Sequence, residues 1–399
     1  MTIFDRGSFS RIATLLGIVG SLFLPTDPVL MGQEEPRSNS GLVKGSEHAF
    51  EGYVLVAPIM SRESFLLSAE GEIVHRWESD GPAGLTAYLL DDGSLLRARR
   101  MQPADRFKRA GGGGGMIERF TWEGEKVWSY QINDDLRLSH HDMEPLPNGN
   151  VLVVAWEYKD AFEATNHGRI PLDEIQPMGV WSDTIYEIKP EGRDGGEVVW
   201  KWSAWDHTVQ DVDESLSTFG EPAEHPHRID LNYFTKRSED WTHLNSIDYH
   251  PELDQILLSA RFFHEIWIID HSTTTEEAAS SKGGKGGRGG DLLYRWGNPA
   301  AYGKGRLTDE KLFGQHDARW VEPGVPGAGN ITVFNNGTDR SQTPYSTVLE
   351  IEPPLQEDGS YALEEDGTWG PERYVWRFGT NAEDRFFSSR ISGTQKLPT

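Results

Sequence analysis

The chain has 399 residues, a formal net charge of −25 and no cysteine. An acidic surplus this large repels nucleic acids and anionic membranes, so neither is expected as a partner. An anionic substrate would need a locally positive site. Because no disulfide can form, stability must come from packing, for which 14 tryptophans supply large apolar side chains.

The first 32 residues resemble a secretory signal. Arg6 and Arg11 flank the start of an apolar run from Ile12 to Leu24, which is too short to cross a bilayer comfortably. We therefore predict a signal peptide over 1–32, a flexible lead-in over 33–50 and a folded domain over 51–399. The mature protein is expected in the periplasm or outside the cell, without membrane contact. An uncleaved anchor is the alternative.

A repeat begins at Tyr53 and predicts an all-β fold. Each copy has an apolar strand, a turn, and a strand rich in Trp or Tyr. These aromatic strands fall at 71–77, 124–130, 196–202, 291–296 and 372–378. Alternating apolar and polar residues between Gly, Asn and Asp turns are typical of strands, and recurring four-strand units predict a β-propeller with five readable blades. The glycine-rich stretches 111–115 and 280–290 are expected to be solvated loops.

A further segment between successive copies is predicted to be the strand nearest the propeller axis. These inner segments are Leu85–Leu90, His140–Leu146, His243–Tyr249, His316–Val321 and Ser388–Leu397. The last one is expected to pair with the first three strands and close a ring of five blades. In the alternative, a sixth blade is truncated at the C-terminus.

Three inner segments carry a histidine at or near the same place: His141, His243 and His316. Because inner strands line the central channel, these imidazoles are expected to converge near one mouth of it, with Arg261 turned back beside His243. The alternatives are structural histidines kept by the repeat, or a three-histidine metal site, which the nearby arginine disfavours.

Two details of this cluster stay open in the sequence. His140 is an alternative to His141, which is preferred because its His-Asp step aligns with His316-Asp317. The aspartates Asp142 and Asp317 either orient the imidazoles or cap the turns.

At these residues the sequence resembles the bacterial arylsulfate sulfotransferase family, from about Asp142 to Thr399. The resemblance rests on the stretches His141–Asn150, Asp240–Ile247, Ser259–Arg261, Gln315–Arg319 and Asn335–Gly337. It implies a six-bladed propeller that moves a sulfuryl group from a phenolic sulfate ester to a phenolic acceptor. It also implies a sulfated histidine as the intermediate and no nucleotide sulfate donor, cofactor or metal.

The resemblance also implies roles for single residues. His316 would be the nucleophile, with His141, His243 and Arg261 binding and polarising the sulfuryl oxygens. His140, Asn245 and Asp317 are expected to contact the substrate. Four aromatic residues are candidates to sandwich the aryl ring, with blade core as their alternative role: Trp156, Trp241, Phe262 and Phe263.

This interpretation has two departures from the family pattern and leaves two alternative functions. The chain cannot form the disulfide that some members carry, and its C-terminus is expected to be short by one blade. The first alternative is a non-catalytic propeller that binds sulfated aromatics or glycans. The second is a quinone-cofactor dehydrogenase, whose calcium site needs acidic ligands where the inner segments offer histidine. Small-molecule donor and acceptor are the expected partners, and a homodimer is left open.

Overall fold

The computed structural model describes residues 52–171, 179–233 and 238–398, which leaves the signal peptide and the lead-in outside the described residues. The strands are β1 (Val54–Val56), β2 (Glu63–Leu67), β3 (Ile73–Glu78), β4 (Ala83–Leu89), β5 (Leu95–Arg100), β6 (Gly115–Phe120), β7 (Lys126–Gln131), β8 (Arg137–Pro145), β9 (Val151–Lys159), β10 (Val180–Glu191), β11 (Gly195–Ser203), β12 (Thr208–Val209), β13 (Ile229–Asp230), β14 (Leu244–His250), β15 (Gln255–Ala260), β16 (Glu265–Asp270), β17 (Tyr294–Trp296), β18 (His316–Trp320), β19 (Ile331–Asn335), β20 (Thr347–Ile351) and β21 (Trp376–Phe378). The α-helices are α1 (Ala161–Asn166) and α2 (Thr275–Ala278), and the short 3-10 turns are Asp105–Phe107, Ala204–His207, Pro222–Glu224, Pro299–Tyr302 and Leu307–Asp309. None of the helices in the described ranges is long and apolar enough to cross a membrane.

Five antiparallel sheets form the blades of the propeller, as the repeat predicted. Blade 1 contains β1 to β3, and blades 2 to 5 contain β4–β7, β8–β11, β14–β17 and β18–β21. The inner strands of blades 2 to 5 are therefore β4, β8, β14 and β18. The small sheet β12–β13 belongs to the insertion between blades 3 and 4.

The prediction for Ser388–Leu397 was wrong. This segment forms no strand, and blade 1 has three strands without it. Instead the segment lies along blade 5, where the Ser388 N–H donates to Ser346 Oγ at 2.8 Å and Lys396 contacts both carboxylate oxygens of Glu350 at 2.7 Å. Ile391 and Ser392 have positive φ angles of 58° and 81°, which interrupt an extended backbone.

The repeated tryptophans join each blade to the next. Those of blades 1 to 4 donate their indole N–H to a backbone carbonyl of the following blade, at 2.7 to 3.0 Å, whereas Trp376 of blade 5 is exposed. The pairs are Trp77 to Thr121, Trp128 to Gly195, Trp202 to Gly290 and Trp296 to Pro371. A buried indole N–H needs an acceptor, so these bonds add orientation to apolar packing between the blades. The hydrophobic core accordingly lies between neighbouring blades.

The two glycine-rich stretches are solvated loops only in part. Residues 285–288 are an exposed loop, as expected, whereas the C-terminal ends of both stretches are buried. In 280–290, Gly290 is buried beside His207 and its carbonyl accepts from Trp202. In 111–115, the Gly114 N–H donates to the Ser139 carbonyl at 2.8 Å, and Gly115 begins β6. Glycine composition alone did not distinguish a mobile loop from a backbone packed closely against other residues.

Each of the four inner strands is interrupted by a bulge at the same end. The register shifts lie between Ala83 and Ala87, Ser139 and Met143, Leu244 and Ile247, and His316 and Arg319. A bulge bends a strand and re-aims side chains, and bulges are frequent beside active sites. The histidine cluster lies at this end.

Beyond the bulges, Arg319 ties the inner strands together, and we call it and its partners the axial clasp. Its guanidinium donates to Tyr88 Oη at 2.9 Å, Asp142 Oδ2 at 2.7 Å, the Ile247 carbonyl at 2.8 Å, Asp317 Oδ1 at 2.9 Å and Glu144 Oε2 at 3.3 Å. These partners come from β4, β8, β14 and β18. Asp248 also lies at the clasp, where burial raises its pKa to about 6 against the opposing charge of Arg319.

Candidate active site

His141, His243 and His316 all lie at the bulged end of inner strands, although their ladder positions differ. His316 pairs with Phe334, and the corresponding ladder positions in blades 3 and 4 are held by Ser139 and Leu244. His141 lies within the bulge and His243 directly before β14, with φ angles of 51° and 52°. The rings of these two nevertheless meet, with their centroids 4.5 Å apart.

His140 lies behind His141 and fixes one of its nitrogens. The two Nδ1 atoms are 2.8 Å apart, so one ring donates and the other accepts. The His140 ring stacks on Trp156 at 3.6 Å, and its Nε2 lies 2.8 Å from Asp183 Oδ1, although without hydrogen-bond alignment. His140 therefore supports the site from behind, and His141 faces it with Nε2.

His243 forms a dyad with Asp240. The distance from Nδ1 to Asp240 Oδ2 is 2.5 Å, and because a carboxylate accepts, the Nδ1 proton points at it. The second oxygen of Asp240 accepts from Trp156 Nε1 at 3.0 Å, which holds the carboxylate in place. Phe262 stacks on the His243 ring at 4.6 Å. Nε2 of His243 is left for a substrate.

His316 is held by Asn336, which directly follows β19. Nδ1 of His316 lies 2.6 Å from Asn336 Oδ1. The other end of the Asn336 amide donates to the carbonyls of Ser388 and Ile391, both at 2.9 Å. The segment expected to close the ring therefore supports a site residue instead.

Arg261 is the permanent cation of the site. It follows β15, and its backbone N–H donates to the His243 carbonyl at 3.2 Å, so the predicted turn back to His243 is present. Its guanidinium lies over the Phe262 ring at 5.2 Å. Burial lowers the pKa of Arg261, and Asp339 and Asp240 oppose that shift. An arginine stays charged through such a shift at neutral pH.

Two of the imidazoles are held neutral. Burial lowers the pKa of His316 to about 3, and the positive charge of Arg261 acts in the same direction. Burial likewise lowers the pKa of His141 well below its usual range, helped by the neighbouring histidines. A neutral imidazole keeps one nitrogen lone pair, which nucleophilic attack and proton acceptance both need.

Gly112 forms part of the wall beside His141. A methyl group added there would lie 2.2 Å from Cε1 and 2.4 Å from Nε2 of His141. Its φ of 89° also favours glycine, and its carbonyl accepts from the His141 N–H at 2.9 Å. The glycine run therefore lets the backbone approach the imidazole closely.

Several residues proposed from the sequence lie elsewhere. Asp317 binds Arg319 and, through Oδ2, the Thr394 N–H at 2.7 Å, and Asp142 belongs to the axial clasp, so neither hydrogen-bonds an imidazole. Asn245 lies at the bulge of β14, donates to the Gln315 carbonyl at 2.7 Å, and has a buried Oδ1 without a hydrogen-bond partner in the described chain. Trp241 and Phe263 are core residues.

Sequence reasoning missed the side chains that orient the imidazoles. Asp240 and Asn336 stood in the motifs that carried the family resemblance, but they had no assigned role. Asp183 and Gly112 carried no such signal, because their relation to His140 and His141 depends on contacts between strands. Within the described ranges, no group of three or more His, Asp or Glu side chains is arranged to hold a metal ion.

Comparisons with solved structures give low similarity throughout. A Bacteroides caccae protein of unknown function is 13% identical, with a TM-score of 0.40 and coverage of 84% of this chain and 74% of its own. Hydrazine synthase of Kuenenia stuttgartiensis is 14% identical, with a TM-score of 0.41 and coverage of 75% and 67%. The β-propeller domain of a Myceliophteria thermophila protein is 10% identical, with a TM-score of 0.38 and coverage of 82% and 74%. These likenesses carry no argument about function.

Comparison with protein families is more specific. No curated protein matches the chain. The model of the arylsulfotransferase (ASST) family, however, matches residues 111–399. This range includes Gly112, His140, the three histidines of the cluster and Arg261, and it extends over most of the propeller. Such a family implies small-molecule aryl substrates. The chain belongs to the arylsulfotransferase family.

Proposed function

We propose that this protein transfers a sulfuryl group from a phenolic sulfate ester to a phenol through a sulfated His316. One observation carries the proposal: three imidazoles converge with Arg261, and each has its Nδ1 engaged by a fixed neighbour. His140 engages His141, Asp240 engages His243 and Asn336 engages His316. Nε2 is then the reactive nitrogen of each ring.

In the first half-reaction, the Nε2 lone pair of His316 attacks sulfur and the bond from sulfur to the aryl oxygen breaks. The phenolate leaves and the sulfuryl group is bonded to Nε2. Arg261 and His141 bind the sulfuryl oxygens, because a guanidinium offers fixed donors to an oxyanion. As in phosphoryl transfer, positioning and charge stabilisation supply most of the catalysis.

In the second half-reaction, the acceptor phenol attacks the sulfur and the bond from sulfur to Nε2 breaks. The phenol proton passes to Nε2 of His243, whose other nitrogen is held by Asp240. This dyad has the arrangement of a general base oriented by a carboxylate. In the first half-reaction the same nitrogen supplies the proton that the leaving phenolate takes up, so the protons balance over one cycle.

The test is turnover of a chromogenic nitrophenyl sulfate with phenol as acceptor. His316→Ala is expected to abolish transfer, whereas the exposed His225 gives a matched control, His225→Ala, with full activity. Mass spectrometry of the enzyme incubated with donor alone should find one sulfuryl group on the peptide containing His316. Binding of the donor without turnover, and an unmodified His316, would instead indicate a binding protein for sulfated aromatics.

We also propose that the protein is exported. The proposal rests on the arginine-flanked apolar run near the N-terminus. N-terminal sequencing of the protein from a periplasmic or culture fraction should begin near Gln33. A cytoplasmic protein that retains Met1 would contradict export.

A further inference from the structure

The amide of Asn336 can sit in one orientation only. Its Nδ2 lies 2.9 Å from the carbonyl oxygens of both Ser388 and Ile391. Carbonyl oxygens only accept hydrogen bonds, so both Nδ2 protons point at them and Oδ1 faces His316. Asn336 is fully buried, so no water competes for the amide.

This orientation determines which nitrogen of His316 carries the proton. Oδ1 of Asn336 accepts only, so the ring nitrogen 2.6 Å away, Nδ1, must donate. A neutral imidazole has one proton, and its other nitrogen, Nε2, then keeps the lone pair. The hydrogen bond at one ring nitrogen thus sets the chemistry of the other.

The two carbonyls belong to a short segment that blade 5 holds firmly, and we call residues 388–394 the strap. Thr338 Oγ1 donates to the Ser389 carbonyl at 2.7 Å, Ser388 Oγ lies 2.7 Å from Ser392 Oγ, and the Thr394 N–H donates to Asp317 at 2.7 Å. The strap therefore contacts two residues next to His316: Asp317, which follows it in the chain, and Asn336, which accepts a hydrogen bond from its ring.

The strap also carries unfavourable backbone conformations. Ile391 has a φ of 58°, a region that β-branched residues rarely adopt, and Ser392 follows with 81°. Such conformations are strained and persist where the surrounding contacts hold the backbone in place, often at functional sites. Here the positive φ angles turn the chain so that the carbonyls of Ser388 and Ile391 both face the side-chain amide of Asn336.

We propose that Asn336 is a positioning residue and the strap a part of the active site, which together fix His316 as its Nδ1–H tautomer. The inference rests on the proposed function for its catalytic meaning, because it explains why Nε2 attacks. The tautomer itself is a property of the free protein and can be measured without substrate.

The experiment reads the tautomer directly, by nitrogen-15 NMR of histidine-labelled protein at pH 7, with the His316 signals identified by their loss in His316→Ala. The wild type should show a protonated Nδ1 and an unprotonated Nε2. Asn336→Ala should shift the proton toward Nε2. A wild-type proton on Nε2, or an unchanged tautomer in Asn336→Ala, would overturn the inference.

Activity gives a second readout that separates positioning from binding. Asn336→Ala should lower kcat by about 10- to 100-fold, the usual range for a residue that orients a reacting group, and leave KM within about twofold. Thr338→Val loosens the strap without touching Asn336 and should lower kcat by a smaller factor. Thr368→Val, which removes a hydroxyl bonded to Asp366 in an exposed turn, is the matched control and should leave kcat unchanged.

Failures of the two proposals are distinguishable. A wild type with the Nδ1–H tautomer that Asn336→Ala disturbs, but with no sulfuryl transfer, would refute the proposed function and keep the inference. If the wild type transfers the sulfuryl group but Asn336→Ala leaves the tautomer unchanged, the proposed function stands and the inference about Asn336 is refuted. If Asn336→Ala does not fold, the wild-type spectrum and the kcat of Thr338→Val still decide the question.

Discussion

The histidine cluster and the axial clasp lie on the same inner strands and treat their polar groups differently. In the clasp, the guanidinium of Arg319 is saturated with partners from four strands. In the cluster, each imidazole has Nδ1 tied to a neighbour and Nε2 facing the site. A polar network in which every donor and acceptor is hydrogen-bonded stabilises a fold. An imidazole that is held in place by one nitrogen keeps its other nitrogen available to react. The propeller thus separates the residues that hold its blades together from those that do chemistry.

The largest expected effect comes from breaking the clasp. Arg319→Met would leave Asp142, Asp248 and their neighbours buried without their cation, which typically costs 3–5 kcal/mol of folding free energy, so a loss of about that size is expected. Urea unfolding measures it. Arg119→Met is the control, because Arg119 pairs with the exposed Asp92 and should cost at most about 1 kcal/mol. Equal losses in the two variants would contradict the role of the clasp.

A smaller effect is expected from crowding the cluster while leaving the clasp intact. Gly112→Ala places a methyl group 2.2 Å from His141 Cε1 and should displace the ring, with a loss in kcat/KM of about 100-fold. Gly124→Ala is a matched control, since Gly124 has nearly the same φ of 87° and nothing within 4 Å of the added methyl group. If both variants lose activity alike, backbone conformation rather than the contact with His141 is responsible.

The smallest expected effect is in the pH dependence of stability. The folded-state pKa of His316 is lowered to about 3, so the unfolded chain binds the proton first, and stability falls as pH drops from about 6.5 toward 3. Burial acts to lower the pKa of His264, but Glu310 and Asp339, which both contact its ring, raise the pKa overall. The stabilisation that charged His264 gives the fold is therefore complete below a pH of about 6.5 and is lost as the pH rises through the folded-state pKa.

Unfolding free energies of the wild type, His316→Asn and His264→Asn at pH 6.5 and 5 test these signs. His316→Asn should gain about 2 kcal/mol relative to the wild type on going to pH 5, at roughly 1.4 kcal/mol per pH unit. His264→Asn should show no such gain. A difference between the wild type and His316→Asn that does not change with pH would mean that His316 titrates normally.

The sequence determined the strands, the five repeats and the histidines. Alternating residues and turn glycines act locally, so the strands of the five blades follow from short stretches of chain, and repeated inner segments place His141, His243 and His316 at one end. The family motifs further identified Arg261.

Only the tertiary structure decided which groups orient the imidazoles. Asp183 contacts His140 from β10, Asn336 contacts His316 from the residue after β19, and Gly112 contacts His141 from a loop of the preceding blade. It also decided that Asp317 belongs to the clasp and that the segment Ser388–Leu397 contains the strap and forms no strand. The physical reason is that a pattern along the chain encodes backbone conformation, whereas the partner of a buried polar group depends on which distant residue the packed blades bring within hydrogen-bonding distance.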